Sequence, residues 1–249
     1  MPPTASPTRA APPPELPSLV AKLRISEIFT SVQGEGQWIG VPSVFVRVSG
    51  CNLRCVWCDT PYASWHPEGP VREVDDVVAE VQAQGVRHVV VTGGEPMLFE
   101  PTVELVAALQ SKGHIITIET AGTVDLPLTP QLFSISPKLS HSAPEGEWHD
   151  RHEAARWRPE IIKAMMQRAT VQFKFVVNPD HPSDDWAEID AMLAQLPPVA
   201  PDSVFLMAEG RDAALLHDRE RRLVPEAIRR GWRIAPRLQI DLFGDTKGT

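Results

Sequence analysis

All three cysteines of this 249-residue chain lie within eight residues, at Cys51, Cys55 and Cys58. Three thiols cannot all pair, and neighbours this close strain a disulfide, so the cluster is a poor crosslinking framework. A zinc site of four thiolates would lack one ligand. A [4Fe–4S] cluster ordinarily takes four cysteines, and three in one loop would leave one iron open for a small molecule. The pattern favours an iron–sulfur site.

Composition excludes several other classes of function. The formal net charge is −8, so no global basic field exists that would hold nucleic acid by its phosphates. No run approaches eighteen apolar residues, and the start of the chain lacks the apolar stretch of a signal peptide. We therefore expect a cytoplasmic protein that contacts neither a membrane nor nucleic acid.

The chain divides into a tail and one domain. Residues 1–22 are rich in proline and alanine and cannot bury enough apolar surface to offset the entropy of ordering, so we predict a disordered tail. Residues 23–249 show no repeat and no linker and are predicted to form a single domain.

Strand-like and helix-like segments alternate through this domain, which predicts a mostly parallel sheet with helices packed against it. A complete eightfold barrel needs about 250 residues in the domain alone, so we expect an α/β fold with an incomplete, open barrel. Residues 138–159 are predicted to form one long loop, and Ser183 or Asp184 to cap a helix. The predicted strands are Val44–Val48, His88–Thr92, Ile115–Glu119, Phe133–Ser136, Val171–Val177, Val204–Met207 and Pro236–Ile240. The predicted helices are Val74–Ala83, Thr102–Ser111, Glu160–Arg168, Asp185–Gln195 and Arg211–Arg230.

A second motif, Thr92-Gly-Gly-Glu-Pro96, ends the strand that follows the cysteine loop. Two glycines at a strand end let a ligand approach the backbone, and Glu95 can accept a hydrogen bond from an ammonium group. Other predicted strands also end in polar residues. Lys174, within a strand, can be exposed at an edge of the sheet or point into a polar barrel interior, and we expect the interior. The polar residues at the ends of these strands that are candidates for contacting a ligand are Glu119, Ser136 and Lys138.

A third motif, Ser31-Val-Gln-Gly-Glu-Gly36, precedes the strand that carries Arg47. The motif can be a simple hairpin turn between two strands, and Arg47 can point outward into water. Alternatively, Gln33 and Glu35 suit the amide and guanidine edge of a pterin-like ring, while Arg47 suits a carboxylate.

Taken in order, these three motifs resemble those of the 7-carboxy-7-deazaguanine synthase family, in the radical S-adenosylmethionine (SAM) superfamily. The resemblance covers about residues 25–243. It implies an open-barrel lyase that converts 6-carboxy-5,6,7,8-tetrahydropterin into 7-carboxy-7-deazaguanine with loss of ammonia, on the route to queuosine. It further implies a homodimer, dependence on Mg²⁺, a SAM molecule that is regenerated, and an electron-donor protein such as a flavodoxin.

The resemblance also implies roles for individual residues. Cys51, Cys55 and Cys58 would ligate the cluster, and Thr60 would be a magnesium ligand. Residues implied to contact SAM are Trp57, Gly94, Glu95, Glu119, Ser136 and Lys138. Residues implied to hold the pterin are Gln33, Glu35, Arg47 and Thr92.

Two other functions remain open from the residues. A glycyl-radical activating enzyme shares the small barrel and the cysteine loop, but would not need Gln33, Glu35 and Arg47. A zinc-binding module would use the three cysteines with a remote histidine.

Overall fold

The computed structural model describes residues 20–181 and 184–249. The strands within these ranges are β1 (Lys22–Val32), β2 (Pro42–Val48), β3 (Val71–Glu73), β4 (His88–Gly93), β5 (Ile115–Thr120), β6 (Leu132–Ile135), β7 (Thr170–Val177), β8 (Val204–Ala208) and β9 (Arg233–Ile234). The helices are α1 (Pro61–Ser64), α2 (Val74–Ala83), α3 (Pro101–Ser111), α4 (His149–Ala155), α5 (Pro159–Arg168), α6 (Asp185–Leu193), α7 (Ala213–Arg230) and α8 (Leu238–Phe243).

One open sheet contains all the strands, in the order β3-β1-β2-β4-β5-β6-β7-β8-β9. Strand β1 pairs antiparallel with both β2 and β3. From β2 to β9 every pairing is parallel. Because these strands are parallel, the carboxyl ends of β2, β4, β5, β6 and β7 lie at one edge of the sheet.

The helices pack against the sheet through apolar stripes. Helix α2 buries Val74, Val77, Val78 and Val81, which recur at the spacing of one helix face. The central strands are buried along their whole length, as in β4, where the sequence reads His-Val-Val-Val-Thr. The core therefore lies between the sheet and its helices, and the inner side of the open barrel is left for polar groups.

The predicted fold class is confirmed, and most predicted elements agree with the structure to within two residues. The predicted strand Pro236–Ile240 is wrong: a two-residue strand ends earlier, at Ile234, and α8 begins at Leu238. Pro236 has no N–H for a strand ladder, and the Leu238 N–H donates to the Gly34 carbonyl oxygen instead. Asp184 caps α6 as predicted by accepting from the Ala187 N–H, whereas Ser183 lies outside the described residues.

The sequence did not predict β1 as a full strand. It begins at Lys22, the last residue assigned to the tail, and the rest of the tail up to residue 19 lies outside the described residues. A β-bulge between Ile25 and Glu27 shifts its register against β2 and interrupts the simple alternation of apolar and polar residues.

Residues 138–159 are not one long loop. They contain α4 and two short 3₁₀ turns, and they pack against the cysteine loop. The Val56 N–H donates to the Ser142 carbonyl oxygen (3.0 Å), and the Arg54 N–H donates to Nδ1 of His152 (3.1 Å). This segment therefore braces the loop from one side.

His152 must be neutral to brace the loop. Its Nδ1 accepts from Arg54, which leaves the hydrogen on Nε2 to donate to Oγ of Ser142 (2.8 Å). Burial lowers the pKa of His152 to about 4. His88, which lies between the hydroxyls of Ser43 and Thr117, also has its pKa lowered to about 4 by burial.

We predict that the two buried histidines lower the stability of the fold as the pH drops from 7 to 5. In this window the unfolded chain binds protons on both histidines, with pKa values of about 6.5, while the folded chain does not. Each histidine then costs about 2 kcal/mol at pH 5. Burial raises the pKa of Glu95, which acts in the opposite direction, so the histidine contribution is measured as the difference between wild type and a histidine variant in denaturant titrations at several pH values.

The variant His152→Gln removes one titrating group, so its loss of stability between pH 7 and pH 5 should be smaller by about 2 kcal/mol. The matched control is His149→Gln, at an exposed histidine three residues earlier, which should keep the wild-type pH dependence. If the unfolding free energy of His152→Gln depended on pH as steeply as that of wild type, the assignment of a neutral His152 in the folded protein would be wrong.

Candidate active site

A cavity of about 490 Å³ lies at the carboxyl edge of the parallel strands. All three cysteines line this cavity, together with most of the polar residues singled out in the sequence. The predicted site residues on its wall are Gln33, Glu35, Arg47, Trp57, Thr60, Thr92, Gly94, Glu119, Ser136 and Lys138. Of the predicted set, only Glu95 does not line it.

The cysteine loop follows directly after β2 and holds its own backbone in shape. The Arg54 guanidinium donates to the carbonyl oxygens of Cys51 and Leu53, both at 2.8 Å, and lies 4.2 Å over the Trp148 ring. The Trp65 indole N–H donates to the Cys55 carbonyl oxygen (3.1 Å). The loop is therefore fixed through its main chain, and its sulfurs are left for a ligand.

The three thiols fit an iron–sulfur cluster. All are free, and burial raises the pKa of Cys51 to about 12 and that of Cys55 to about 11. Buried thiols with such pKa values stay protonated unless a metal centre stabilises the thiolates. Within residues 20–181 and 184–249, no three His, Cys, Asp or Glu side chains converge on one metal ion. A cluster needs no such convergence, because each cysteine binds a different iron.

The glycine pair at the end of β4 serves close packing as well as ligand approach. A Cβ on Gly94 would lie 2.1 Å from the Gly50 carbonyl oxygen, so only glycine fits against the cysteine loop. The Glu95 N–H donates to the same oxygen (2.8 Å). The motif thus joins the end of β4 to the loop that carries the cysteines.

Glu95 lies behind the cavity wall and is fully buried. Its carboxylate accepts from the Thr120 hydroxyl (2.8 Å) and from the N–H groups of Ala121 (2.8 Å) and Met97 (3.1 Å). Burial raises the pKa of Glu95 despite these donors. Two of these donors bind Oε1 and one binds Oε2, which leaves one acceptor position on Oε2. That position is compatible with an ammonium group, and the contact stays a prediction.

Trp57, Ser136 and Lys138 form one side of the cavity. Nζ of Lys138 donates to Oγ of Ser136 (2.8 Å) and lies 5.3 Å over the Trp57 ring. Trp57 packs on a small apolar cluster that includes Val176 and Met207. This arrangement offers an indole face and a cation side by side.

A buried ion network crosses the cavity. Glu35 pairs with Lys174 from β7, and also contacts Arg237 (3.4 Å) and the Gln239 amide (2.9 Å). Burial would raise the pKa of Glu35, but Lys174 and Arg237 outweigh it and lower that pKa to about 2. Burial likewise opposes the charge of Lys174, yet Glu35 and Glu119 raise its pKa. These groups stay ionised at neutral pH.

Glu119 links the predicted pterin contacts to each other. Its Oε1 accepts from Nε2 of Gln33 (3.2 Å), and its Oε2 accepts from the Thr92 hydroxyl (2.8 Å). Nζ of Lys174 lies 3.8 Å from Oε1. The segment that contains Gln33 is a loop between antiparallel neighbours, as the hairpin interpretation requires, and its side chains nevertheless enter the barrel.

Arg47 does not point outward into water: its side chain is only 15% exposed and lines the cavity. Its Nε donates to Oε1 of Glu27 (2.6 Å), and the same oxygen accepts from the Tyr62 hydroxyl (3.0 Å). Among the described residues, Nε is the only atom of Arg47 with a side-chain hydrogen bond. The Nη edge therefore remains available to a ligand.

Thr60 lies beside the cysteine loop at the start of α1. Its hydroxyl oxygen lies 3.8 Å from Sγ of Cys58. The adjacent Asp59 pairs with Arg237. The predicted magnesium ligand thus lies on the same wall as the cluster cysteines.

Sequence reasoning missed several residues of the site. Glu27 lies between Ser26 and Ile28, so it lacks the apolar neighbours on both sides that identified Lys174, and β1 had not been recognised. Arg237 and Gln239 fall in the segment wrongly predicted to be a strand. Residues 244–249 also line the cavity, and Nζ of Lys247 lies 4.0 Å over the Tyr62 ring. Nothing in their composition distinguishes them from an ordinary terminus.

No helix among the described residues has both the length and the apolar character needed to cross a membrane.

Comparisons with known proteins agree with the motifs. A family profile described as the radical SAM superfamily matches residues 45–134. A 7-carboxy-7-deazaguanine synthase from Rhodopirellula baltica is 45% identical over 92% of this chain and 90% of its own length. The synthase of the same name from Halobacterium salinarum is 41% identical, over 91% of this chain and 93% of its own length.

A solved structure supports the same family. The crystal structure of QueE from Escherichia coli superposes with a TM-score of 0.66 and 26% identity, and the match covers 86% of this chain and 93% of that one. Radical SAM enzymes use a [4Fe–4S] cluster and SAM, which the three free cysteines on the cavity wall fit. The chain belongs to the 7-carboxy-7-deazaguanine synthase family of radical SAM lyases, and not to the activating enzymes or zinc modules considered above.

Proposed function

We propose that this enzyme converts 6-carboxy-5,6,7,8-tetrahydropterin into 7-carboxy-7-deazaguanine and ammonia. The observation that carries the proposal is the convergence on one cavity of the three cysteines with Gln33, Glu35 and Arg47. These three residues come from β2 and from the loop before it, and a radical SAM enzyme with another substrate would not require them. The cluster and SAM supply, when bound, a carbon radical that takes a hydrogen atom from the substrate and later returns it.

The polar side of the cavity suits the pterin. Gln33 offers its amide to the nitrogen-rich ring edge. Glu119, which the resemblance gave as a SAM contact, is hydrogen-bonded to Gln33 and Thr92, so we assign its carboxylate to the pterin as well. The Nη edge of Arg47 matches the substrate carboxylate, while Glu27 fixes the opposite edge of the guanidinium. Bound in this way, the ring is held still and shielded from water while its bonds rearrange.

The side of the cavity near the glycine pair suits SAM. Gly94 lies on the wall next to the cysteine loop, and the Trp57 main chain lies beside the third cysteine. Lys138 and Ser136 offer donors for a ribose hydroxyl or a carboxylate. Glu95 would reach the amino group of the methionyl moiety through its remaining acceptor position.

Four further features complete the proposal. Mg²⁺ binds Thr60 and the substrate carboxylate, because this hard cation prefers oxygen ligands and keeps several waters. The enzyme acts as a homodimer in the cytoplasm. A small electron-transfer protein such as a flavodoxin reduces the cluster. The product enters the biosynthesis of queuosine and related 7-deazapurines.

The proposal is tested by supplying the substrate to reconstituted protein. Under anaerobic conditions, with SAM, Mg²⁺ and a reductant, the carboxypterin should yield a deazapurine with its characteristic absorbance and mass, together with ammonia. If the protein cleaved SAM reductively but formed no deazapurine, the substrate assignment would be wrong, while the assignment of the cluster and SAM would hold.

Cys55→Ala should abolish both the cluster and turnover, because the chain holds no further cysteine that could replace the lost ligand. Iron and sulfide content and the visible absorbance after anaerobic reconstitution measure the cluster directly. The matched control is Val56→Ala, an exposed position in the same loop, which should keep both. Reductive cleavage of SAM at the wild-type rate by Cys55→Ala would contradict the ligand assignment.

Arg47→Lys should lower turnover of the carboxypterin by about tenfold to a hundredfold, which is the loss of one charge-assisted hydrogen bond. A lysine ammonium cannot bind Glu27 along one edge and fork a carboxylate along the other. Slow cleavage of SAM without substrate should survive, because it needs only the cluster and the SAM site. Both rates are measured on the same preparation.

The control for this variant is Arg24→Lys on the neighbouring strand, where the arginine is exposed and donates to the Gly69 carbonyl oxygen. It should leave both rates unchanged. If Arg47→Lys lowered neither rate, Arg47 would be removed from the substrate site. Equal losses in both reactions would place the damage at the cysteine loop.

Thr60→Val keeps the shape of the side chain and removes the hydroxyl oxygen. If that oxygen is a magnesium ligand, the Mg²⁺ concentration for half-maximal turnover should rise by about tenfold or more, corresponding to about 1.4 kcal/mol. The control Thr129→Val, at an exposed threonine, should keep the wild-type magnesium dependence. An unchanged magnesium curve in Thr60→Val would remove Thr60 from the cation site.

A further inference from the structure

The hydroxyl of Ser64 lies 3.0 Å from the sulfur of Cys58. Ser64 is the last residue of α1, a single helical turn that begins at Pro61 directly after the cysteine loop. The residue is 4% exposed, so the hydroxyl is held against the sulfur and is shielded from bulk water. Pro61 suits the first position of the turn, and this short helix folds the chain back over the third cysteine.

The same hydroxyl also lies 3.2 Å from the Thr60 carbonyl oxygen, and it has only one hydrogen to donate. While Cys58 is a thiol, its own hydrogen can point to Ser64, and Ser64 can donate to the carbonyl. A thiolate bound to the cluster carries no hydrogen. The hydrogen between Oγ of Ser64 and Sγ of Cys58 must then come from the Ser64 hydroxyl. The Thr60 carbonyl keeps its bond from the Ala63 N–H (2.9 Å), so the switch leaves no buried oxygen unpaired.

The cysteine sulfurs differ in the kind of group that can donate a hydrogen bond to them. The Leu53 N–H donates to Sγ of Cys51 at 3.4 Å, which is a main-chain contact that no substitution removes cleanly. At Cys58 the contact at 3.0 Å comes from a side chain. The Thr60 hydroxyl lies farther from the same sulfur, at 3.8 Å, so Ser64 is the closer side-chain donor and the one to test by mutation.

We propose that Ser64 is a positioning residue that donates a hydrogen bond to the Cys58 thiolate and so makes the cluster easier to reduce. Reduction adds negative charge to the cluster and its sulfurs, and a buried donor stabilises the more negative state more strongly. The proposal rests on the assignment of a [4Fe–4S] cluster to this family. It concerns how easily the cluster takes up the electron with which the proposed reaction begins.

The test is a redox titration of the SAM-free cluster, followed by electron paramagnetic resonance, in wild type and Ser64→Ala. At a fixed potential, the ratio of reduced to oxidised cluster should fall by about threefold to tenfold in the variant, as expected for one lost hydrogen bond. Tenfold corresponds to about 59 mV for a one-electron couple.

A second measurement separates the hydrogen bond from a change in packing. In D₂O, pulsed resonance spectra of the reduced wild-type cluster should contain a strongly coupled exchangeable deuteron that Ser64→Ala lacks. The matched control is Ser49→Ala: this serine is also buried beside the cysteine loop, but its hydroxyl has no hydrogen-bond partner among the described residues. The control should keep the wild-type potential and the wild-type deuteron signal.

Each outcome is decisive. Wild-type protein that assembles no cluster would overturn the cofactor assignment itself. A wild-type cluster whose potential and deuteron signal are unchanged in Ser64→Ala would overturn only the role of Ser64. A potential that shifts equally in Ser64→Ala and Ser49→Ala, with the deuteron retained, would assign the effect to packing and contradict the hydrogen bond.

Discussion

A buried ion pair joins the two sides of the open barrel. Glu35 lies in the loop between β1 and β2, and Lys174 lies on β7, four strands away from β2 in the sheet. An open sheet has no ladder of hydrogen bonds between its edges, so contacts across the interior must fix its curvature. Removing one partner of a buried pair leaves an uncompensated charge and typically costs about 3–5 kcal/mol. The pair therefore helps to hold the two sides of the cavity together and makes its interior polar.

The cysteine loop is held from three directions while its sulfurs stay free. The end of β4 approaches through Gly94, the segment around α4 supports the loop through His152, and α1 contributes the hydroxyl of Ser64. A loop that binds a metal centre must keep its ligands in place during a change of oxidation state. The contacts from Gly94 and His152 go to backbone atoms of the loop, whereas the Ser64 hydroxyl touches the Cys58 sulfur itself and leaves it able to bind iron.

The sequence predicted the parts of the site that depend on local chemistry. The cysteine spacing and the strand ends at Thr92 and Glu119 all lead to the cavity, because parallel strands bring their carboxyl ends to one edge. Contacts between distant segments could not be predicted in the same way. Arg237 reaches Glu35 across more than two hundred residues, and its segment was mistaken for a strand because a short apolar run fits either structure. Glu27 was missed because a bulge breaks the alternation of β1.

The charged side chains around the cavity determine what charge the proposed Mg²⁺ ion would have to offset. Among the described residues, six acidic and six basic side chains lie on its wall or directly behind it, so the two signs occur there in equal number. The acids are Glu27, Glu35, Asp59, Glu95, Glu119 and Asp245, and the bases are Arg47, Lys138, Lys174, Arg211, Arg237 and Lys247. A substrate carboxylate adds a negative charge to this balanced set, and Glu27 already offsets the charge of the arginine that would bind it. A divalent cation at Thr60 would offset the added charge without disturbing the pairs that shape the cavity, since Mg²⁺ brings its own waters as ligands.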